Sequence, residues 1–403
     1  MVDTTAPYQE KFRLSQLLYD TRYRSLTIQV VAMMLMMLFF GWLINNTVIN
    51  LANLGKDIDF GFLTNPAGYD INQRIIEYDS QSTHGRAAIV GILNTVLVAV
   101  LGCILATVIG VFAGVLRLSN NWLISRIMTV YVEGFRNVPL LLWILVIFAV
   151  MTESMPVPRD FREGGDASMI LESIAVTNRG VYVPSPVAGD GFVSLLAIFI
   201  ASIIGIWAFR RWAKAKQEAT GQILPVFWIS LGMFFIPTLL FYFILGRPIS
   251  LDYPALAGFN FDGGLHLRNS LIALWLALSF YTGAFIAENV RSGIMAVSKG
   301  QTEAAFALGL RPSRTMNLII LPQALRVIIP PLISQYLNLT KNSSLALAVG
   351  YMDVRSTLGG ITINQTGREL EGMLLLGGFY LIASLLISSG MNVYNNAVKL
   401  KER

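Results

Sequence analysis

Eight apolar runs, at about 26–44, 89–116, 138–151, 192–209, 224–245, 270–290, 324–340 and 373–394, limit the folds open to this chain more than any other feature. A helix needs about 20 apolar residues to cross a hydrocarbon core. Inside lipid, only helices and closed barrels satisfy their own backbone polar groups. The runs therefore predict an all-α membrane protein of about eight transmembrane helices. The third run is short by this measure and is expected to borrow the apolar residues just before Arg136. Only 13% of the 403 residues are charged, about half the share of a soluble domain.

The formal charge of +6 invites a nucleic-acid reading, but its distribution argues against one. With the N-terminus in the cytoplasm and eight helices alternating sides, Lys and Arg are in excess inside and carboxylates in excess outside, which is the positive-inside pattern with both termini cytoplasmic. Arg117 and Arg126 follow the second run; Arg210, Arg211, Lys214 and Lys216 follow the fourth. Membrane lipid is the expected surrounding, and nucleic acid is not an expected partner. The basic stretch Lys11, Arg13, Arg22 and Arg24 precedes the first helix. With no small-residue cleavage site after Leu43–Asn46, that helix reads as a retained anchor. The single Cys103 falls inside the second run and reads as a buried thiol. His84 and His266 are assigned to outside loops. Without Cys or carboxylate partners at ligand spacing they suggest no metal site.

The second run places Gly102, Ala106, Gly110 and Gly114 at a four-residue interval, a small-residue stripe that predicts a close helix contact in the protein interior. The fourth and fifth runs are rich in Phe, Trp and Ile, with charge only in the connection between them. Helices apolar all round suit lipid, so these two read as a peripheral pair. Residues 45–88, with Asp57, Asp59, Asp70, Glu77 and Asp79, and residues 152–191, with four prolines and the tract Glu163–Asp166, form long outside loops. Loops of this length are either functional surfaces or disordered spacers, and composition fits both.

The connection between the sixth and seventh runs reads ENVRSGIMAVSKGQTEAAFALGLRPSRTMNLIILPQALRVIIPP. Residues Gln301–Leu308 predict a short helix ended by Gly309 at a C-terminal cap, and Pro312 suits the first turn of a second one. Glu303, Ala304 and Ala305 give the first helix a smooth face with one acidic handle. Such a helix suits docking in a groove on a cytoplasmic partner, or it lies in the interface without one.

The pattern EAA, three residues, G, a spacer and LPQA resembles the coupling-loop signature of permease subunits of ABC importers, and Glu303, Ala304, Ala305, Gly309, Leu321 and Pro322 stand at the matching positions. The stretches NTVLVAVLG from Asn94, YVEGFRNVPLLL from Tyr131, SFYTGAFIAENVRSGI from Ser279 and LNLTKNSSLALAVGYMDV from Leu337 resemble the polar amino-acid permeases of the histidine, glutamine and arginine type. That resemblance implies a five-helix core in two parts, 89–151 and 266–403, with the coupling loop at about 290–323. Residues 1–88, carrying an extra helix and a long periplasmic loop, and the insert 152–265 depart from the usual pattern. They look like the larger permease of general L-amino-acid import systems.

The resemblance implies a multi-pass inner-membrane subunit that moves L-amino acids, polar ones or a broader range, from periplasm to cytoplasm by alternating access. No GxxxxGK[ST] loop occurs in the chain, so it is not read as an enzyme and binds no cofactor of its own; ATP and Mg belong to a partner. The implied partners are a cytoplasmic ABC ATPase dimer, a second related permease making a heterodimer, and a periplasmic amino-acid-binding protein. Substrate-pathway candidates are the costly polar groups near the membrane: Glu133, Arg136 and Asn137, then Glu288, which has Arg291 one turn away, and Lys341, Asn342, Ser343 and Ser344. Snorkelling of Lys341 to the headgroups is the plain alternative. An ion-gradient-driven secondary amino-acid transporter is the competing function. A membrane enzyme would need a convergent catalytic set that the chain does not offer.

Overall fold

A computed structural model describes residues 16–55, 58–162 and 164–398. Lys11, Arg13, Asp57 and Glu163 lie outside the described residues, as does the side chain of Arg22. Every apolar run becomes helix: α1 Thr21–Asn53, α2 His84–Leu116, α3 Trp122–Asn137, α4 Leu140–Glu153, α5 Phe192–Thr220, α6 Val226–Ile244, α7 Asn269–Met295, α8 Lys299–Ala307, α9 Leu321–Asn342 and α10 Glu369–Val398. Seven helices among the described residues are long and apolar enough to cross a membrane, or eight if the bent pair α3–α4 is one span.

The third crossing corrects the expectation drawn from its length. The apolar residues before Arg136 do not extend the run in line; they form α3, which meets α4 at 108°. The break falls at Val138–Pro139, where Val138 is extended (φ −106°, ψ 134°), because the proline ring drives the residue before it out of helical geometry. The α3 face bearing Met128, Tyr131, Val132 and Phe135 packs on Ala113, Ala284 and Ala287.

The centre of the protein is the α2–α7 crossing. A Cβ added at Gly110 would lie 2.5 Å from Ile286 Cβ and 2.9 Å from the Gly283 carbonyl, and one at Gly114 2.6 Å from the Ala287 carbonyl. Ala106 is fully buried in the same stripe. Lipid offers no hydrophobic drive between helices, so close backbone approach carries the association. Gly110→Val is expected to push α2 off α7, at about 1–3 kcal/mol for overpacking. Recovery of folded protein in detergent size-exclusion should fall well below that of Gly134→Val. Gly134 has nothing within 4 Å of its added Cβ, and equal recovery of the two variants would refute the seam.

Beyond the stripe, α2 carries Asn94 and Thr95. Asn94 Nδ2 donates to the carbonyls of Gln73 (2.7 Å) and Met352 (2.9 Å), Thr95 Oγ1 accepts from Val354 N–H (3.0 Å), and Tyr351 Oη donates to the Asn94 carbonyl (3.1 Å). These bonds fix the segment after α9 against α2 at the end away from α8. The first long loop is folded there too: Ala67, Ile71 and Tyr78 pack on Ala87 and Val90. His84 is not in a loop, as its sequence position suggested. It is the first residue of α2, buried, with Nδ1 3.2 Å from Thr362 Oγ1.

The insert supplies what the helical reading left as loop. β1 Ala175–Thr177, β2 Gly180–Val183 and β7 Leu265–Arg268 form one antiparallel sheet; β3 Ser185–Ala188 pairs β4 Ile249–Asp252, and β5 Ala255–Ala257 pairs β6 Asn260–Asp262. His266 sits in β7. Between these strands α5 and α6 pack on each other, with Phe199 on Phe234 at 5.3 Å, and their remaining surface is largely exposed. At the α5 end facing the α5–α6 connection, Arg211 lies over Trp207 (4.4 Å) and Lys216 over Trp212 (5.0 Å), the aromatic and cationic pairing of a membrane interface. In α1 no residue of the apolar window is buried, so its whole apolar surface faces outward.

Candidate functional site

The sequence predicts a short helix between two core helices, and the structure forms it as α8. Ser298 enters the helix with extended backbone. The exit depends on Gly309, whose φ is +72°. There the Leu310 N–H reaches back to the Ala305 carbonyl at 3.1 Å and the Gly309 N–H to that of Phe306 at 2.9 Å. This is the left-handed cap that glycine adopts without a Cβ penalty. Pro312 is then the first residue of the turn Pro312–Thr315, and a π segment, Met316–Ile320, leads into α9 at Leu321 and Pro322.

Glu303 and Ala304 face outward and Leu321 is partly exposed, whereas Ala305 is buried. The smooth face expected from Glu303, Ala304 and Ala305 is therefore not one face, since Ala305 anchors the helix. The exposed surface is completed by Phe306 (50% exposed) and Leu308 (80%), two large apolar groups beside one carboxylate. Gln323 Nε2 donates to Gln301 Oε1 at 3.4 Å, and Gly293 of α7 accepts Ile328 of α9 closely. The start of α8 is thus tied to α9 through Gln301, and α7 and α9, the helices on either side of α8 in the chain, are themselves packed closely together.

At this same end a charge cluster joins three helices. Arg117, the C-cap of α2, is only 8% exposed in its side chain and donates through Nη1 to Glu288 Oε2. It also lies 3.7 Å from Glu133 of α3. Glu288 accepts from Arg291 at 3.1 Å and stands 3.8 Å from Arg136, whose guanidinium covers Phe285. The Glu288–Arg291 turn was legible from spacing. The Arg117 contact was not, because Arg117 reads in sequence as a loop charge. Among the described residues, the Asn137 side chain bonds only back to Glu133.

The pathway candidates do not converge. Glu133, Arg136, Asn137 and Glu288 gather at the α8 end, while Lys341, Asn342, Ser343 and Ser344 lie at the far end of the 22-residue α9, roughly 30 Å along its axis. Lys341 is exposed, and Ser343 is buried with its Oγ donating to the Thr340 carbonyl at 2.7 Å. Among the described residues no three His, Cys, Asp or Glu side chains come together as a metal site would require. The exposed faces of α2, α9 and α10 also leave an apolar groove of about 640 Å³, lined by Cys103, Thr107, Tyr336 and Met391 among others.

Residues 219–398 match the family described as "Binding-protein-dependent transport system inner membrane component". Across 98% of this chain and 99% of the other, the sequence is 55% identical to the glutamate/glutamine/aspartate/asparagine transport system permease protein BztB of Rhodobacter capsulatus. It is 43% identical to the general L-amino acid transport system permease protein AapQ of Rhizobium johnstonii, over 100% of this chain and 99% of that one. The putative amino-acid ABC transporter permease protein YhdX of Escherichia coli strain K12 is 45% identical, over 94% and 95%.

Proposed function

The chain belongs to the amino-acid permeases of ABC importers, and from that premise we propose that it carries acidic amino acids and their amides inward, driven by ATPase subunits on separate chains. Membership rests on relatives matched from end to end. The substrate class is taken from the printed function of the 55% identical relative. The observation that carries the coupling role is α8, a short helix with an exposed carboxylate and two exposed apolar side chains, set in the chain between α7 and α9 and bonded to α9 through Gln301.

On this reading the α8 end is cytoplasmic, as the positive-inside pattern requires, and both termini are cytoplasmic. An ATPase dimer seats α8 in a groove. ATP binding favours the permease state in which the coupling helices are close, and only that difference in affinity moves the bundle. Glu303 orients the helix, Gly309 sets the turn that leads to Leu321 and Pro322, and ATP with Mg stays on the partner, since the chain has no phosphate loop. A related permease makes the second half of the pathway, and the apolar groove between α2, α9 and α10 belongs to that contact. A periplasmic binding protein delivers substrate to the opposite end, where the first loop and the insert lie. Lys341, Asn342, Ser343 and Ser344 remain the outer pathway candidates. The domain division at 1–88, 89–151, 152–265 and 266–403 then separates anchor and loop, first core part, insert, and second core part with its coupling loop.

Reconstitution with a companion permease, an ATPase and a binding protein tests the energy source. Uptake of labelled L-glutamate should require ATP inside the ATPase compartment and persist when a protonophore and a sodium ionophore collapse ion gradients. Uptake that ignores ATP and stops with the gradients would instead establish the ion-driven transporter.

A further inference from the structure

The end opposite α8 holds a cavity of about 440 Å³ between the insert and the core, within the size range of small-molecule sites. The core side of it is Phe148 and Thr152, from the end of α4, together with the Val349–Met352 segment that Asn94 holds against α2. The insert side is the β1–β2 turn and β7, which bring Arg179, His266 and Arg268 to the cavity. The two sides are fastened together. Asn269, buried at the start of α7, donates through Nδ2 to the Asn178 carbonyl at 2.6 Å, and the Asn178 N–H donates to the Pro156 carbonyl at 3.0 Å. The turn carrying Arg179 is therefore held over the mouth of the core.

The charge of this cavity is one-sided. Two guanidinium groups line it and no carboxylate does. Among the described residues, the Arg179 side chain makes one hydrogen bond, from Nη1 to the Phe259 carbonyl at 3.2 Å. Among the described residues, the Arg268 side chain has no hydrogen bond or ion pair. His266 stacks flat on Tyr182, with centroids 4.2 Å apart and planes at 2°, and its Nε2 lies 3.1 Å from the Arg179 carbonyl. A carbonyl only accepts, so Nε2 carries the proton. Burial, with the nearby Arg268 charge, holds the imidazole below its usual pKa and hence neutral at pH 7. The cavity thus presents two positive charges and no carboxylate, a one-signed field that raises the local concentration of an anion. It also offers hydroxyl and amide oxygens at Thr152 and Asn72 that can accept from an ammonium.

We propose that this cavity is a receiving site for an anionic amino acid, with its carboxylates held by Arg179 and Arg268 before it passes into the core. The proposal rests on the importer reading and adds to it a site and the charge that the site selects. Two guanidinium groups match the two carboxylates of a dicarboxylic amino acid, and arginine pairs with carboxylate in a two-pronged geometry that lysine cannot copy. An acidic loop of a docked protein would also answer the charge. The small volume of the cavity and the acceptors for an ammonium favour the small zwitterion.

The test is equilibrium binding of tritiated L-glutamate to the full chain in lipid nanodiscs at low ionic strength, without ATPase or binding protein. Saturable binding is expected, with L-leucine a poor competitor. Arg268→Gln and Arg179→Gln should each weaken it by about tenfold, the loss of one charged hydrogen-bonded contact. Arg268→Lys, which keeps the charge, should weaken it less and shows whether loss in Arg268→Gln is more than misfolding; size-exclusion profiles check all variants. Absence of saturable binding in the unaltered chain, or affinity unchanged in both Gln variants, overturns the site. Weaker docking of the binding protein in those variants, with L-glutamate affinity intact, overturns it in favour of a protein-loop socket. ATP-driven uptake by the unaltered chain, measured in parallel, separates failure of this site from failure of the importer reading.

Discussion

Glu303→Lys is expected to leave the chain inserted and folded but to abolish ATP-dependent amino-acid uptake, and Gly309→Val is expected to do nearly the same. Glu303 is exposed on α8, so its replacement disturbs little packing, and reversal of its charge acts chiefly on whatever docks there. Gly309 tests the same helix by another route. An added Cβ would meet nothing within 4 Å, yet the φ of +72° remains. A β-branched side chain at such a φ costs about 1–2 kcal/mol through local sterics alone. That is enough to displace the exit of α8 but too little to unfold a bundle held by the α2–α7 seam. The measurement is ATPase stimulation by loaded binding protein, beside uptake, in the reconstituted complex. Loss of uptake with persistent but unstimulated hydrolysis marks uncoupling. Normal coupled uptake in both variants would remove α8 from the mechanism.

Much of this architecture was legible before any coordinates. Apolar length located every crossing, and the interval of Gly102, Ala106, Gly110 and Gly114 located a close-packed stripe without naming its partners, α7 for Gly110 and Gly114 and Leu339 of α9 for Gly102, because a small-residue stripe records only that something approaches. Gly309 and Pro312 marked the end of α8 and the start of the next turn through backbone rules that act within a few residues. The bend at Val138–Pro139 was in principle readable by the same kind of rule. Apolar length counts residues along the chain and is blind to a change of direction within it.

What sequence did not reveal is what depends on distant pairing. Arg117 and Glu288 are 171 positions apart, and nothing local to Arg117 distinguishes it from an ordinary interfacial cation. The β2–β7 pairing joins Val181 to Leu267 across the whole α5–α6 pair, and strands of three or four residues are too short for an alternation pattern to register. Arg179 and Arg268 look like unremarkable loop charges until that pairing puts both on one cavity. Asn94 and Thr95 did leave a signal, as polar residues within an apolar run, and the structure spends both on backbone groups of the Val349–Val354 region and of the first loop.

The charge cluster yields the other large expected effect. Glu288→Ala would leave Arg117, Arg136 and Arg291 facing one another, with only Glu133, 3.7 Å from Arg117, to offset them. Arg117 is the decisive member, because at 8% exposure it cannot turn to water. Removing the partner of a buried charge costs on the order of 3 kcal/mol, whereas removing both partners costs less. Glu288→Ala is therefore expected to lower the melting temperature of the detergent-solubilised chain sharply. Arg117→Ala combined with Glu288→Ala should restore part of the loss, since contacting residues are not additive. Glu288→Gln, which keeps the shape and one hydrogen-bond acceptor, should fall between. Because Glu288 lies on the helix that also forms the seam and leads into α8, a destabilised cluster should weaken coupling as well as folding. The distinguishing result is the double variant: recovered melting with uptake still impaired would assign the cluster a part in transmission. Melting unchanged by Glu288→Ala would mean that the Arg117 pair contributes nothing to the fold.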